Sequence, residues 1–132
     1  MDVGGTGSGR ARAGLRGLAA LAGLLFAGAV AAGSPEVVGV EVEPAGGDQV
    51  RVSVTIRHGD TGWNHYANGW IVLDEADRVL GDRVLAHPHV DEQPFTRSLT
   101  ITVPDGVTRI RVRPRDSVHG EGAFSDWVLV AR

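Results

Sequence analysis

The sequence predicts an all-β domain, a seven-stranded antiparallel sandwich of the immunoglobulin or fibronectin type. Apolar and polar residues alternate with a period of two in several segments, turn signals separate these segments, and no helical period follows the N-terminal region. Short strands in this arrangement are typical of two packed antiparallel sheets. The chain of 132 residues has room for one such domain.

The N-terminal region is expected to be a signal peptide. Three arginines precede a charge-free apolar run of about fifteen residues, and small residues fit a cleavage site just after Ala31. An uncleaved membrane anchor is the alternative, although a spanning helix needs roughly twenty apolar residues. We therefore predict a signal peptide over residues 1–31 and a β-sandwich domain over residues 32–132. The mature protein is expected to be periplasmic or secreted, with membrane contact limited to the signal segment during export.

Composition argues against several classes of function. Removal of the first 31 residues leaves ten basic and fifteen acidic residues, a formal charge of about −5, whereas nucleic acid binding requires clustered Arg or Lys. The absence of cysteine excludes disulfides and thiolate chemistry. No nucleophile or phosphate-binding glycine motif is present. We expect no nucleic acid partner and no organic cofactor, and the sequence identifies no catalytic residue, so enzymatic activity stays an open question.

The predicted strands follow the alternation. They centre on residues 38–43, 50–57, 70–73, 78–85, 98–103, 107–113 and 124–131. In the second strand, every other residue from Val50 to Ile56 is apolar, which predicts one buried face. Gly81 is expected to mark a bulge. Three arginines of the sixth strand, Arg109, Arg111 and Arg113, are expected to face water, and Trp127 to lie near the centre of the seventh strand.

All five histidines fall in the loops after the second, fourth and sixth predicted strands. Successive antiparallel strands reverse direction, so these three loops emerge at the same end of the sandwich. The candidate metal ligands, expected to form one site, are His58, His65, His87, His89, Asp116 and His119. Imidazole is the commonest metal-ligating side chain, and nitrogen and oxygen donors without sulfur favour Cu(II), Zn or non-haem Fe.

Two further features of the loops support a metal site, and a metal-free binding module is the alternative. His87 and His89 are two residues apart, so in an extended segment both point to one face and could share an ion. Asp60 adds another oxygen donor. Loop histidines are, however, often merely solvent-exposed. Aromatic residues such as Trp63 and Tyr66 would also suit a metal-free module that recognises a protein or glycan partner.

The order of these residues resembles the superoxide reductase domain of desulfoferrodoxin and neelaredoxin. The matching segments are His58, His65-Tyr66, Trp70-Ile71 and Asp116-Ser117-Val118-His119-Gly120. In that family an immunoglobulin-like sandwich carries an iron centre, and the resemblance implies that His58, His65 and His119 are ligands. Asp116, however, stands at the position of the family's cysteine ligand. The interval between the first two histidines is longer by one residue, and the family's upstream histidine would fall near Glu36, where this chain has none.

An iron centre that reduces superoxide relies on an electron-rich thiolate, and a carboxylate donates much less charge. The resemblance therefore implies a related fold and a metal pocket. A metal-dependent redox enzyme related to superoxide reductase is one alternative function.

Overall fold

The structure, a computed structural model, describes residues 33–130 and contains only β-strands as regular elements in that range. The strands are β1 (Glu36–Gly46), β2 (Gln49–Arg57), β3 (Ala67–Leu73), β4 (Val79–Val84), β5 (Phe95–Thr102), β6 (Arg109–Asp116), β7 (Gly120–Glu121) and β8 (Val128–Leu129). Within this range no helix has the length and apolar character needed to span a bilayer. The predicted signal peptide, residues 1–31, lies outside the described residues.

The strands form two antiparallel sheets that enclose one core. One sheet has the order β1-β2-β5, and the other has the order β8-β6-β3-β4, with β7 paired to β6. The chain passes between the sheets after β2, β4 and β5. The predicted all-β antiparallel sandwich is confirmed. β3 is central, as its apolar character suggested, because it pairs with both β4 and β6.

The core follows the predicted alternation along β2. Val50, Val52, Val54 and Ile56 are all fully buried. They pack against the inward-facing residues of the opposite sheet, which include Trp70, Val72, Ile110 and Val112. Each fully buried side chain of this size contributes about 1.5–3 kcal/mol relative to exposure. The two buried faces therefore hold the sheets together.

The seventh predicted strand is not continuous. Residues 124–127 are irregular, and only the two-residue strands β7 and β8 pair with β6 at this end of the chain. The rings of Phe124 and Trp127 instead lie over the outer face of β6. The guanidinium carbon of Arg111 is 3.7 Å from the Phe124 ring centroid and 4.5 Å from the Trp127 centroid. The rings stack on these cations, and the segment keeps one backbone hydrogen bond to β6, from the N–H of Ser125 to the carbonyl oxygen of Val112 at 2.8 Å.

The arginines of β6 lie on the outer face of the sheet, as predicted, and each of them forms an ion pair there. The ion pairs are Arg109 with Glu75 at 2.7 Å, Arg111 with Asp77 at 3.1 Å, Arg113 with Glu121 at 3.1 Å and Arg115 with Asp82 at 2.9 Å. Pairs with this much exposure contribute about 0–1 kcal/mol each. Their main effect is to cancel the charge of four neighbouring cations on one strand.

The predicted irregularity at Gly81 is present. The partner of Val72 is Gly81 and the partner of Leu73 is Val79, so one residue beside Gly81 is left over in the β3–β4 pairing. A Cβ atom at Gly81 would lie 2.6 Å from Cγ2 of Ile101 and 2.8 Å from Cδ2 of Leu99 on the opposite sheet. Gly81 therefore allows β4 to approach β5.

Replacing Gly81 with alanine is expected to lower the free energy of unfolding by about 1–3 kcal/mol, because the added methyl group collides with Ile101 in the core. Gly39→Ala is the matched control, since a Cβ there meets nothing closer than 3.7 Å and the change should stay within about 0.5 kcal/mol. Urea denaturation of the full chain measures both values. Equal effects of the two substitutions would contradict this account of Gly81.

Candidate metal centre

Two rows of inward-facing core residues, one on β2 and one on β6, end in residues of the candidate metal site. On β2 the buried positions Val54 and Ile56 are followed, one step beyond the strand, by the buried His58. On β6 the buried Pro114 is followed by the buried Asp116. Because β2 and β6 belong to different sheets, His58 and Asp116 meet between the sheets at one end of the core.

Three of the predicted ligands, His58, His65 and His119, converge on one carboxylate oxygen of a fourth, Oδ2 of Asp116. Nε2 of His58 is 3.1 Å from this oxygen, and Nε2 of His65 is 3.3 Å from it. These three donor atoms lie within 4.8 Å of one another. Nδ1 of His119 is 3.0 Å from the same oxygen. Three imidazole rings thus surround one anionic atom.

The second oxygen of Asp116 fixes the carboxylate in place. Oδ1 accepts the backbone N–H groups of Val118, at 2.9 Å, and of His119. Burial opposes ionisation of Asp116, but hydrogen bonds from the His119 backbone and ring, from Val118 and from His65 outweigh it. They hold the pKa of this carboxyl well below its usual range. Asp116 is therefore an anion at neutral pH, with one oxygen directed at the histidines.

Asp60 orients His58 and does not join the cluster, in contrast to the prediction of an oxygen ligand. Its Oδ1 contacts Nδ1 of His58 and accepts the N–H of Ala67 at 3.1 Å, while its Oδ2 accepts the N–H of His89 at 2.7 Å. A carboxylate on Nδ1–H leaves the lone pair of His58 on Nε2, which faces Asp116. Metal-ligating histidines commonly have this arrangement.

Gly33 is a member of the site that the sequence did not indicate. Its carbonyl oxygen is 2.7 Å from Nε2 of His58 and 3.2 Å from Nε2 of His65. Its φ is 92°, and a Cβ there would lie 2.7 Å from Cε1 of His119. Only glycine fits both constraints. A backbone carbonyl carries no residue-type signal, so sequence patterns could not reveal this contact.

His87 and His89 do not lie in this cluster. Their rings are 4.7 Å apart between centroids, and the buried His89 stacks on Phe95 at 3.9 Å. Among residues 33–130, no hydrogen bond connects either ring to Asp116 or to the other three histidines. The loops nevertheless meet at one end of the sandwich, because the backbone of His89 is bound by Asp60.

The donor set fits a metal ion of the Zn, Cu or Fe class. Neighbouring donors around a tetrahedral ion with bonds of about 2.0–2.1 Å lie roughly 3.3 Å apart, close to the 3.1 and 3.3 Å separations from Asp116 to His58 and His65. Two or three imidazoles with one carboxylate suit these borderline ions. The same separations also suit hydrogen bonds. A proton between a ring nitrogen and the Asp116 oxygen can therefore hold these groups together when metal is absent.

The metal-free protein is expected to lose stability as the pH falls below about 4. The folded-state pKa of Asp116 lies below its unfolded value near 3.8, so the stabilisation is complete above that value and is lost as the carboxyl protonates. Chemical denaturation between pH 6 and 2, with a chelator present, measures this slope. Asp116→Asn should flatten it, whereas Asp126→Asn, at an exposed site, should not. An unchanged slope in Asp116→Asn would contradict the assignment.

Comparisons with known proteins give one relative and no family. No family model and no solved structure matches the chain. A protein of Halomicrobium mukohataei named "Putative lipoprotein" is 48% identical over 86 residues, which is 65% of this chain and 42% of that protein. The chain thus spans less than half the length of this relative.

Proposed function

We propose that this protein is an exported β-sandwich protein that binds one transition metal ion, Cu, Zn or Fe, at the end of its core. His58, His65 and Asp116 are the proposed ligands, and His119 is a fourth. The observation that carries this proposal is that one donor atom each from His58, His65 and the buried, anionic Asp116 lie within 4.8 Å of one another.

The charge of the site supports a bound cation. The side chains of Asp60 and Asp116 are both fully buried, and the side chain of His58 between them is fully buried as well. Both carboxylates accept backbone N–H groups, and a positive charge between them would stabilise the buried pair further. A divalent ion on Nε2 of His58 would balance both. Asp60 would then hold the ligating ring in the required tautomer.

The openness of the site supports exchange of the ion with solvent. His58 and Asp116 are fully buried, but the side chains of His65 and His119 are 23% and 43% exposed. The cluster is thus reachable from one side. Export is supported by the apolar segment before residue 32, and the name of the relative, a lipoprotein, favours a place in the cell envelope.

A metal-dependent redox reaction is the second candidate function. Four positions that resemble the iron ligands of superoxide reductase meet in this site. They are His58, His65, Asp116 and His119. The partial exposure of His119 would admit a small molecule. When bound, an iron ion would supply the electron transfer, and the histidines and Asp116 would hold it.

Metal binding is tested by titrating the metal-free full chain with Zn²⁺. Asp116→Asn is expected to lower the bound zinc by one ion per chain, because the shared anionic oxygen is lost, and Asp91→Asn, an exposed acidic residue, should leave the count unchanged. Affinity should weaken as the pH falls through about 6, since protons compete for imidazole. A folded protein that takes up no ion would contradict the proposal and favour a metal-free recognition module.

Iron-loaded Asp116→Cys tests the ligand assignment that the resemblance implies. A thiolate at position 116 would point toward the same histidines, so the variant should gain a thiolate-to-iron charge-transfer band in the visible spectrum. Ser117→Cys, at the next position, is the matched control and should show none. Decay of superoxide in the presence of both variants and the wild type then measures activity. No new band in Asp116→Cys would argue against position 116 as a ligand.

A further inference from the structure

The pair His87 and His89, at the same end of the sandwich, has no role in the cluster around Asp116. We propose that these two histidines form a second metal-binding position, for one ion of the copper or zinc class, in the loop between β4 and β5. This position is independent of the cluster, and the inference does not rest on the function proposed for it.

His89 presents a rigid and unsatisfied ring. The residue is only 5% exposed, and neither ring nitrogen has a hydrogen-bond partner among the described residues. The ring is fixed by stacking on Phe95, with 8° between the planes. The backbone is fixed on both sides, since its N–H donates to Asp60 at 2.7 Å and its carbonyl accepts from Gln93 at 2.9 Å. A buried nitrogen without a partner is unfavourable and calls for a ligand.

The environments of the two rings suit metal binding. Burial lowers the pKa of His89, and the nearby charge of Arg97 lowers it further, so its ring is neutral at neutral pH. In His87, Nδ1 is 3.0 Å from the carbonyl oxygen of Pro88. An N–H donated there leaves the lone pair on Nε2. Metal ligands are commonly prepared by such a hydrogen bond on the other ring nitrogen.

The two rings are close enough to share an ion. Their centroids are 4.7 Å apart with a tilt of 37°. Two imidazole nitrogens bound to one ion at about 2 Å each lie at most about 4 Å apart. His87 is exposed and can rotate to meet the fixed ring of His89.

Nearby charges and the small number of ligands define the chemistry of this position. Glu92 accepts a hydrogen bond from Arg97 at 3.1 Å, so its carboxylate is already engaged. Two nitrogen donors without carboxylate or sulfur favour copper or zinc over calcium or magnesium. With only two protein ligands, water fills the remaining positions. This position should therefore bind its ion more weakly than the cluster does.

The test titrates the metal-free full chain with Zn²⁺ and counts bound ions while NMR records the histidine ring nitrogens. The Asp116→Asn variant should still bind one ion, and the ring nitrogens of His87 and His89 should shift on its addition. Asp116→Asn/His87→Ala should bind none. His87→Ala alone should lose one ion relative to the wild type and keep the cluster.

Val90→Ala, at an exposed residue of the same loop, is the matched control and should bind as the wild type does. Because His87 is exposed, its replacement is not expected to unfold the chain, and circular dichroism checks this. An ion count that His87→Ala leaves unchanged, with no shift at His89 on addition of zinc to Asp116→Asn, would overturn the proposal.

Discussion

The end of the sandwich that holds the site depends on His58, which lies between two buried carboxylates. Its two ring nitrogens face Asp60 and Asp116, and all three side chains are fully buried. A metal ion on Nε2 would place a positive charge between the two carboxylates. The carboxylate of Asp60 also binds the backbone at the start of β3 and in the β4–β5 loop. The interactions that orient the candidate ligand therefore also order the surrounding loops.

The sandwich explains why the polar groups can be buried at this point. His58 and Asp116 occupy the positions that follow the last apolar residues of two facing stripes, so each is carried inward by strand periodicity. Loop backbone N–H groups then supply the hydrogen bonds that water would otherwise make. On the open side, His65 and His119 remain partly exposed, and Trp63, in the same loop as His65, is 68% exposed. The site thus has a buried side, at His58 and Asp116, and a partly exposed side, at His65 and His119.

Strand alternation and strand reversal were enough to predict the sandwich and the meeting of the loops, because both follow from backbone geometry. These two patterns could not predict that His87 and His89 lie apart from the other three histidines. That separation depends on the stacking of Phe95 on His89. The role of Asp60 could not be predicted either, because an aspartate can bind a metal ion or orient a histidine that binds it. The predicted last strand failed for a different reason. Its aromatic residues are apolar in sequence but pack on arginines outside the sheet, and not in the core.

The carboxylate of Asp116 also bears on the choice between binding and redox chemistry. Two backbone N–H groups occupy Oδ1, and the pKa of the carboxyl is depressed, so this group is a weak base and a weak electron donor. A thiolate at this point would push electron density onto an iron ion, which a carboxylate held in this way does much less. An ion at this site would therefore be more Lewis acidic and less strongly reducing. The environment of Asp116 favours reversible binding of a metal ion over the reduction of superoxide.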